Sequence, residues 1–147
     1  MQRFLALDIG QKRTGIALVD DSARVATPLE IIAHETDSIA FIDRLLFLIT
    51  EWEPTALLVG LPIDLKGKEA IAANDVRKRA TVLLSKVNSS RKKSNLEPLE
   101  IHFVDERLTT AQAERSMRDA NMSAAERKNL RDALAAAVIA QTFIDTL

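Results

Sequence analysis

The sequence contains no cysteine and only two histidines, and this removes several kinds of chemistry at once. Without cysteine there is no disulfide, thiol nucleophile or thiolate metal site, and the absence fits a reducing compartment. His34 and His102 do not have the spacing of a metal-binding pair. Any metal site would therefore be built from carboxylates, which favour magnesium or manganese over zinc.

Long apolar runs and aromatic residues are also scarce. No apolar stretch approaches the roughly 18–20 residues that span a membrane, and the N-terminus has no basic region followed by an apolar segment and a cleavage site. We therefore expect a cytoplasmic protein. Aromatic residues make up 4% of the chain, with one tryptophan and no tyrosine, which argues against extended base-stacking surfaces.

The composition is that of an ordinary folded domain. The chain has 147 residues, of which 47% are hydrophobic and 28% charged, so a single domain covering residues 1–147 is expected. Positive charge is concentrated between Lys66 and Lys93, a range called here the basic segment. This range contains nine lysines and arginines but only two acids. A solvated helix face would explain this run. The alternative is a surface that binds phosphates.

Hydrophobic periodicity predicts the element order β-β-β-α-β-α-β-α-α, which implies an α/β fold with a mixed sheet and helices packed on it. Pro28 interrupts the third strand and predicts that this strand lies at an edge. Capping boxes at Thr109/Gln112 and Ser123/Glu126 open the last two helices. The predicted strands are Arg3–Asp8, Thr14–Asp20, Val25–Ile32, Thr55–Pro62 and Leu99–Asp105, with helices over Asp37–Trp52 and around Val76–Val87.

Three acids lie on elements that should be buried. Asp8 ends the apolar run of the first strand, where open α/β sheets place their ligands. Glu106 follows the last strand, and strand alternation directs its neighbour Asp105 to the opposite face. Asp132 begins a helical stripe of apolar residues that should pack on the sheet. That stripe continues with Ala135, Ala136, Ile139 and Phe143.

Each acid has a structural explanation when it is taken singly. Asp8 could cap a turn, Glu106 could pair with Arg107, and Asp132 could pair with Lys128. Together, three carboxylates on buried elements repel one another unless a cation neutralises them. Two divalent ions held by shared carboxylates are the usual arrangement for displacement at phosphorus.

Four stretches of this sequence resemble, in order and spacing, the motifs of the YqgF family. They are "ALDIGQKRTGIAL", "LLVGLPIDLKG", "VDERLTTAQAE" and "RDALAAAVIAQ", and together they cover nearly the full chain. Members of that family are RuvC-like, RNase H-fold proteins described as Holliday junction resolvases or pre-16S ribosomal RNA nucleases. The departures from the family pattern are Lys66 and Lys68, which flank Gly67, and Ala140, where a larger aliphatic residue is usual.

The resemblance implies an RNase H-like fold with a five-stranded mixed sheet whose first three strands are antiparallel. It also implies hydrolysis of phosphodiester bonds with Mg²⁺ or Mn²⁺, with Asp8, Glu106 and Asp132 as catalytic metal ligands. Asp8 would bridge both ions. The other motif positions that match are Gly10, Arg13 and Gly15 in the first hairpin, and Gly60, Pro62 and Gly67 in the G-L-P segment.

A nucleic acid is the expected partner, and the protein would act as a monomer or a homodimer. Processing of the 5′ end of pre-16S ribosomal RNA is the preferred function, largely because the resemblance points there, and resolution of four-way DNA junctions is the alternative. Two other classes stay open: a nucleotide-binding module of the actin and sugar-kinase kind, and a nucleic-acid-binding adaptor without catalysis. The expected phosphate-binding residues are Lys12, Arg13, Lys66, Lys68, Arg77, Lys78, Arg79 and Arg107.

Overall fold

The structure, a computed structural model, describes residues 1–63, 71–106 and 124–147, and for residues 124–132 it describes the backbone alone. Five strands and three helices lie in these ranges. The strands are β1 (Arg3–Ile9), β2 (Thr14–Asp20), β3 (Thr27–Ile32), β4 (Ala56–Leu61) and β5 (Ile101–Asp105). The helices are α1 (Ile39–Trp52), α2 (Ile71–Lys93) and α3 (Ala124–Asp145).

The strands form one sheet in the order β3-β2-β1-β4-β5, with β1 at its centre. β1 pairs antiparallel with β2 along its whole length, and parallel with β4, where Leu7 lies opposite Val59. β4 in turn pairs parallel with β5, and β2 pairs antiparallel with β3. The predicted five-stranded mixed sheet, with its first three strands antiparallel, is therefore confirmed.

β3 lies at one edge of the sheet, as Pro28 predicts. Proline has no N–H to donate to a ladder, so an edge strand tolerates it best. The pairing of β2 with β3 contains an irregularity between Ile16 and Ala17. The strand begins at Thr27 rather than at the predicted Val25, whose side chain is exposed.

The two faces of the sheet pack against different helices. Large aliphatic side chains of one face meet α1 and α2, and that core includes Leu5, Leu7, Leu57, Val59, Phe41, Leu45, Val76 and Leu83. The other face meets α3, and its core is built mainly from small residues, among them Ala6, Ala17, Ala136, Ala137 and Ala140. Alanine at these positions lets the helix backbone approach the sheet closely.

Local side-chain contacts fix both ends of α1. The Ser38 hydroxyl accepts a hydrogen bond of 3.2 Å from the backbone N–H of Phe41, so Ser38 caps the helix. The helix therefore begins at Ile39 rather than at the predicted Asp37. It ends at Trp52, and the next residue, Glu53, caps it with a φ of 48° in the left-handed region and an N–H that donates to the carbonyl of Ile49.

α3 is fastened to the loop between β2 and β3 by one side chain. The N–H of Ala26 donates to Gln141 Oε1 over 3.1 Å, and Gln141 Nε2 donates to the carbonyl of Arg24 over 3.0 Å. On the same face, Phe143 packs edge-on against Phe4 and stacks on His102. His102 thus contributes to packing at this edge of the sheet.

The last predicted helices are only partly described. α3 is described from Ala124 onward, and Ser123 of the second capping box lies outside the described residues. The helix expected to open at Thr109 lies outside the described residues. Within the described ranges, every helix is too short or too polar to cross a membrane.

Candidate active site

Asp8 lies near the C-terminal end of the central strand, between two positions that have no side chain. Gly15 is its partner on β2. On β4, Gly60 follows Val59, which pairs with Leu7, so Gly60 is the next position in the parallel register beside Asp8. Strand alternation puts Asp8 on the face that carries Phe4 and Ala6, the face covered by α3. The Asp8 carboxylate itself is half-buried.

Glu106 occupies the space above Gly60. A Cβ placed on that glycine would lie 2.7 Å from Glu106 Oε1 and would also collide with Ile139 of α3. Val104, two residues earlier, is buried on the same face, so β5 directs Glu106 toward the α3 side as predicted. The missing side chain at position 60 is what allows this carboxylate to approach the central strand.

The charge of Asp8 acts on Glu106. Burial raises the pKa of the Glu106 carboxyl, and the negative charges of Asp8 and then Asp105 raise it further. Both neighbours therefore disfavour a second full negative charge at this place. A cation bound between the carboxylates would reverse that preference.

For Asp132 the structure describes the backbone and not the side chain. Its backbone lies in α3, one helical turn before Ala136, which is fully buried against the sheet. The same helix contacts the sheet through Ile139 and Ala140. The side chain of Asp132 lies outside the described part of the structure, so its role as a third ligand stays a prediction.

The donors present fit a hard divalent cation. Asp8 and Glu106 offer carboxylate oxygens only, the ligand type that Mg²⁺ and Mn²⁺ prefer. Burial of the Glu106 carboxyl and the nearby charge of Asp8 both disfavour its ionised form, and a bound cation would offset both effects. Among the side chains that the structure describes, no group of three or more acids, histidines or cysteines is placed to hold a metal ion.

The hairpin between β1 and β2 brings the first basic residues next to Asp8. Gly10 donates its N–H to the carbonyl of Arg13 over 2.9 Å, and a Cβ on Gly10 would lie only 2.6 Å from that oxygen. Glycine is therefore required for this tight turn. Lys12 and Arg13 are exposed in the turn.

The three successive basic residues of α2 have different surroundings. The Arg79 guanidinium donates to the carbonyl of Gly10 over 2.9 Å and pairs with Asp75 over 3.0 Å, so it braces the hairpin. The Arg77 guanidinium lies over the ring of Phe103, 4.7 Å from its centre. Lys78 is exposed.

The three residues therefore differ in their surroundings, and their binding of phosphate stays a prediction. α2 packs on the face opposite α3, and Arg79 is engaged within the fold. Sequence spacing could not show the contact between Arg79 and Gly10, because these two residues are 69 positions apart in the chain.

Of the other predicted site residues, Pro62 follows β4 and is partly buried. The remaining predicted residues, Lys66, Gly67, Lys68 and Arg107, lie outside the described residues.

Solved structures of junction-resolving enzymes have the same fold. The chain aligns with the fowlpox virus resolvase in its complex with Holliday junction DNA at a TM-score of 0.56 and 10% identity, over 99% of this chain and 98% of that one. Alignment with RuvC of T. thermophilus in complex with a Holliday junction substrate gives a TM-score of 0.52 and 14% identity, over 97% and 92% of the chains. The predicted RNase H-like, RuvC-like fold is confirmed.

The family follows from the sequence comparisons. A family model described as "RuvX: Holliday junction resolvase" matches residues 2–146. A relative from Roseiflexus sp. (strain RS-1), named "Putative pre-16S rRNA nuclease", is 39% identical over 144 residues, which are 98% of this chain and 94% of the relative. The chain belongs to the RuvX family. The prediction of an enzyme that hydrolyses ester bonds of nucleic acid is confirmed by these matches.

Replacing Gly60 with alanine is expected to destabilise the protein by about 1–3 kcal/mol, because the new methyl group collides with Ile139 and Glu106. Denaturant unfolding measures this loss. The double variant Gly60→Ala/Ile139→Val removes the first atom that the methyl meets, so its loss should be smaller than the sum of the two single losses. A Gly60→Ala variant as stable as the parent would show that neither side chain occupies this space.

The metal-free protein is expected to lose stability as pH rises from the ordinary glutamate pKa through the raised pKa of Glu106. The folded state binds this proton more tightly than the unfolded state, so ionisation of Glu106 favours unfolding. In Asp8→Asn the pKa of Glu106 should fall and this pH dependence should weaken. Unfolding in EDTA across this range and a carboxyl NMR titration measure the two effects.

Asp43→Asn is the matched control for this prediction, because it removes one charge from an exposed position on α1. It should leave the titration of Glu106 unchanged. An identical Glu106 titration in the parent and in Asp8→Asn would contradict the coupling between the two acids.

Proposed function

We propose that this protein is a metal-dependent nuclease that processes the 5′ end of pre-16S ribosomal RNA. The observation that carries the proposal is the approach of Glu106 to the end of the central strand, across Gly60, beside Asp8. The charge of Asp8 raises the pKa of Glu106, and a divalent cation bound beside them would stabilise both carboxylates in their ionised forms. The name of the Roseiflexus relative supports ribosomal RNA as the substrate.

Asp8, Glu106 and Asp132 would hold Mg²⁺ or Mn²⁺. A bound divalent cation would supply Lewis-acid stabilisation of the negative charge that develops on the phosphate during in-line displacement. Pairing with Gly15 fixes the backbone of Asp8, and the residue before it, Leu7, also pairs with Val59 of β4. Glu106 is held over Gly60 by the end of β5. No side chain of the protein has to form a covalent intermediate.

Basic residues around the acids would bind the phosphates of the substrate strand. Lys12 and Arg13 follow Asp8 in the same hairpin, and Lys78 is exposed on α2. Lys66, Lys68 and Arg107 belong to the same proposal on the strength of their sequence positions. Such contacts position the backbone and carry no sequence information.

Resolution of four-way DNA junctions is the second candidate. The family description names a Holliday junction resolvase, and the two aligned solved structures are complexes with junction DNA. Cutting opposed strands of a junction symmetrically calls for two sites, and hence for a homodimer, whereas RNA processing can be done by a monomer. The proposal for RNA includes a single nuclease domain over residues 1–147 that works in the cytoplasm.

Cleavage assays on a pre-16S ribosomal RNA fragment and on a four-way DNA junction, with Mg²⁺ and then with Mn²⁺, test both candidates. The Asp8→Asn and Glu106→Gln variants are expected to lose at least about 100-fold in cleavage rate, because loss of a metal ligand removes several kcal/mol of charge stabilisation. Asp105→Asn is the matched comparison and should retain most activity, because Asp105 lies on the other face of β5.

Equal losses in Asp105→Asn and Glu106→Gln would contradict the assignment of Glu106 as the ligand on β5. Binding of either substrate with no cleavage under either metal would contradict the nuclease proposal and support an adaptor. Faster cleavage of the junction than of the RNA would transfer the proposal to the second candidate.

A further inference from the structure

A cavity of about 450 Å³ lies on the far side of the β1–β2 hairpin from α3. Its walls come from three places in the chain: the hairpin turn, the loop between β3 and α1, and the first half of α2. The volume falls in the range of ligand pockets, which is roughly 300–1,000 Å³. Lys12 in its wall is four residues beyond Asp8, so the cavity and the candidate active site share one hairpin.

The wall of the cavity carries charges of both signs. Lys12 from the hairpin and Lys78 from α2 are exposed cations, and Glu35 and Asp37 from the β3–α1 loop are exposed carboxylates. Arg79 also lines the cavity, but its guanidinium bonds to Gly10 and Asp75, so it holds the hairpin against α2. Besides Arg79, the walls of the cavity therefore carry two exposed cations and two exposed carboxylates.

A buried hydroxyl in the same wall has no partner. Thr36 is 4% exposed, and its Oγ1 makes no hydrogen bond in the described structure. A buried polar group without a partner costs about 1–3 kcal/mol. A polar ligand in the cavity, reached by rotation of this side chain, would remove that cost.

This combination of groups matches a ribonucleotide. The cations suit a phosphate, whereas carboxylates repel phosphates and accept hydrogen bonds from hydroxyl groups. A nucleotide inside a DNA strand has no hydroxyl group to donate, but each nucleotide of RNA has its 2′-OH, the group by which proteins distinguish the two polymers. Two carboxylates beside a phosphate site would repel the phosphates of either polymer. RNA can offset this repulsion by donating hydrogen bonds from its 2′-OH groups, whereas DNA cannot.

We propose that this cavity binds one ribonucleotide of the substrate strand, with its phosphate at Lys12 and Lys78 and its 2′-OH at Glu35 or Asp37. The proposal rests on the proposed nuclease function and makes it more specific, because it assigns a preference for RNA to a place outside the acid cluster. The strand would pass over the hairpin from Asp8 into the cavity.

Binding without cleavage tests this inference. Fluorescence anisotropy in EDTA compares a short single-stranded oligoribonucleotide with its 2′-deoxy and 2′-O-methyl counterparts of the same sequence. The parent is expected to bind the ribose form about 3- to 10-fold more tightly, the effect of one or two hydrogen bonds. Equal binding of the three oligonucleotides, or binding of none, would overturn the proposal.

The carboxylates and the lysines should have opposite effects. Glu35→Ala/Asp37→Ala is expected to weaken binding of the ribose form and to strengthen binding of the deoxy form, which abolishes the preference. Lys12→Gln/Lys78→Gln should weaken both forms alike, and should flatten the slope of log affinity against log salt by about 0.7 for each phosphate that the lysines no longer bind.

Lys92→Gln is the matched control, because it removes the same charge from an exposed position about 21 Å further along α2. It should flatten the salt slope less than Lys78→Gln alone. Circular dichroism and thermal unfolding establish that every variant is folded. An unchanged preference in a folded Glu35→Ala/Asp37→Ala variant would overturn the proposal.

A free ribonucleotide carries the same phosphate and 2′-OH groups as a nucleotide of the substrate strand. A competition experiment with a ribonucleoside monophosphate distinguishes these two ligands. A ribonucleoside monophosphate that binds the parent but not the lysine variant, while oligoribonucleotide binding is the same in both, would overturn the substrate-strand assignment. Cleavage assays are read separately. If these variants change the ribose preference but the protein cleaves neither substrate, the ribonucleotide site is supported and the nuclease function is contradicted. If the protein cleaves RNA but shows no ribose preference that depends on these residues, the nuclease function is supported and the ribonucleotide site is contradicted.

Discussion

The repulsion between Asp8 and Glu106 is the interaction around which this end of the molecule is arranged. Asp8 lies on β1 and Glu106 directly follows β5, with β4 between the two strands, and Glu106 can approach β4 beside Asp8 because position 60 has no side chain. Gly15 is the partner of Asp8 on β2. Gly15 and Gly60 lie within strands, where glycine weakens the strand, whereas Gly10 is required by the turn of the hairpin.

The two faces of the sheet have different roles, because one carries the core of large side chains and the other carries the candidate active site. Large aliphatic and aromatic side chains between the sheet, α1 and α2 supply the bulk of the buried surface. On the other face, alanines bring the backbone of α3 close, and the buried cluster includes few large side chains. A helix that approaches this closely can present a short acid to the centre of the sheet, whereas a helix spaced by leucines would need a longer side chain.

Sequence patterns were sufficient for the sheet and for two of the acids. Alternation along Phe4, Ala6 and Asp8 fixes the face of the first acid, and Val104 fixes that of Glu106, because a strand has a period of two. The same patterns could not show that Arg79 bonds to Gly10, that Arg77 covers Phe103, or that Thr36 lines a cavity. Those contacts join residues far apart in the chain, and they depend on how helices lie on the sheet, which local periodicity does not determine. The start of α1 differs from its predicted position because one side chain, Ser38, caps the helix there.

The double pairing of β1 has a consequence for how the molecule opens. Proteins unfold locally in cooperative units, and the least protected units leave first. β3 has a neighbour on one side only, so it can separate from β2 without disturbing the other ladders. β1 can leave only if the ladders on both of its sides break. The backbone of Leu7, directly before Asp8, therefore belongs to the last part of the sheet to exchange its amide protons, and the position of the Asp8 carboxylate survives fluctuations that release the periphery of the fold.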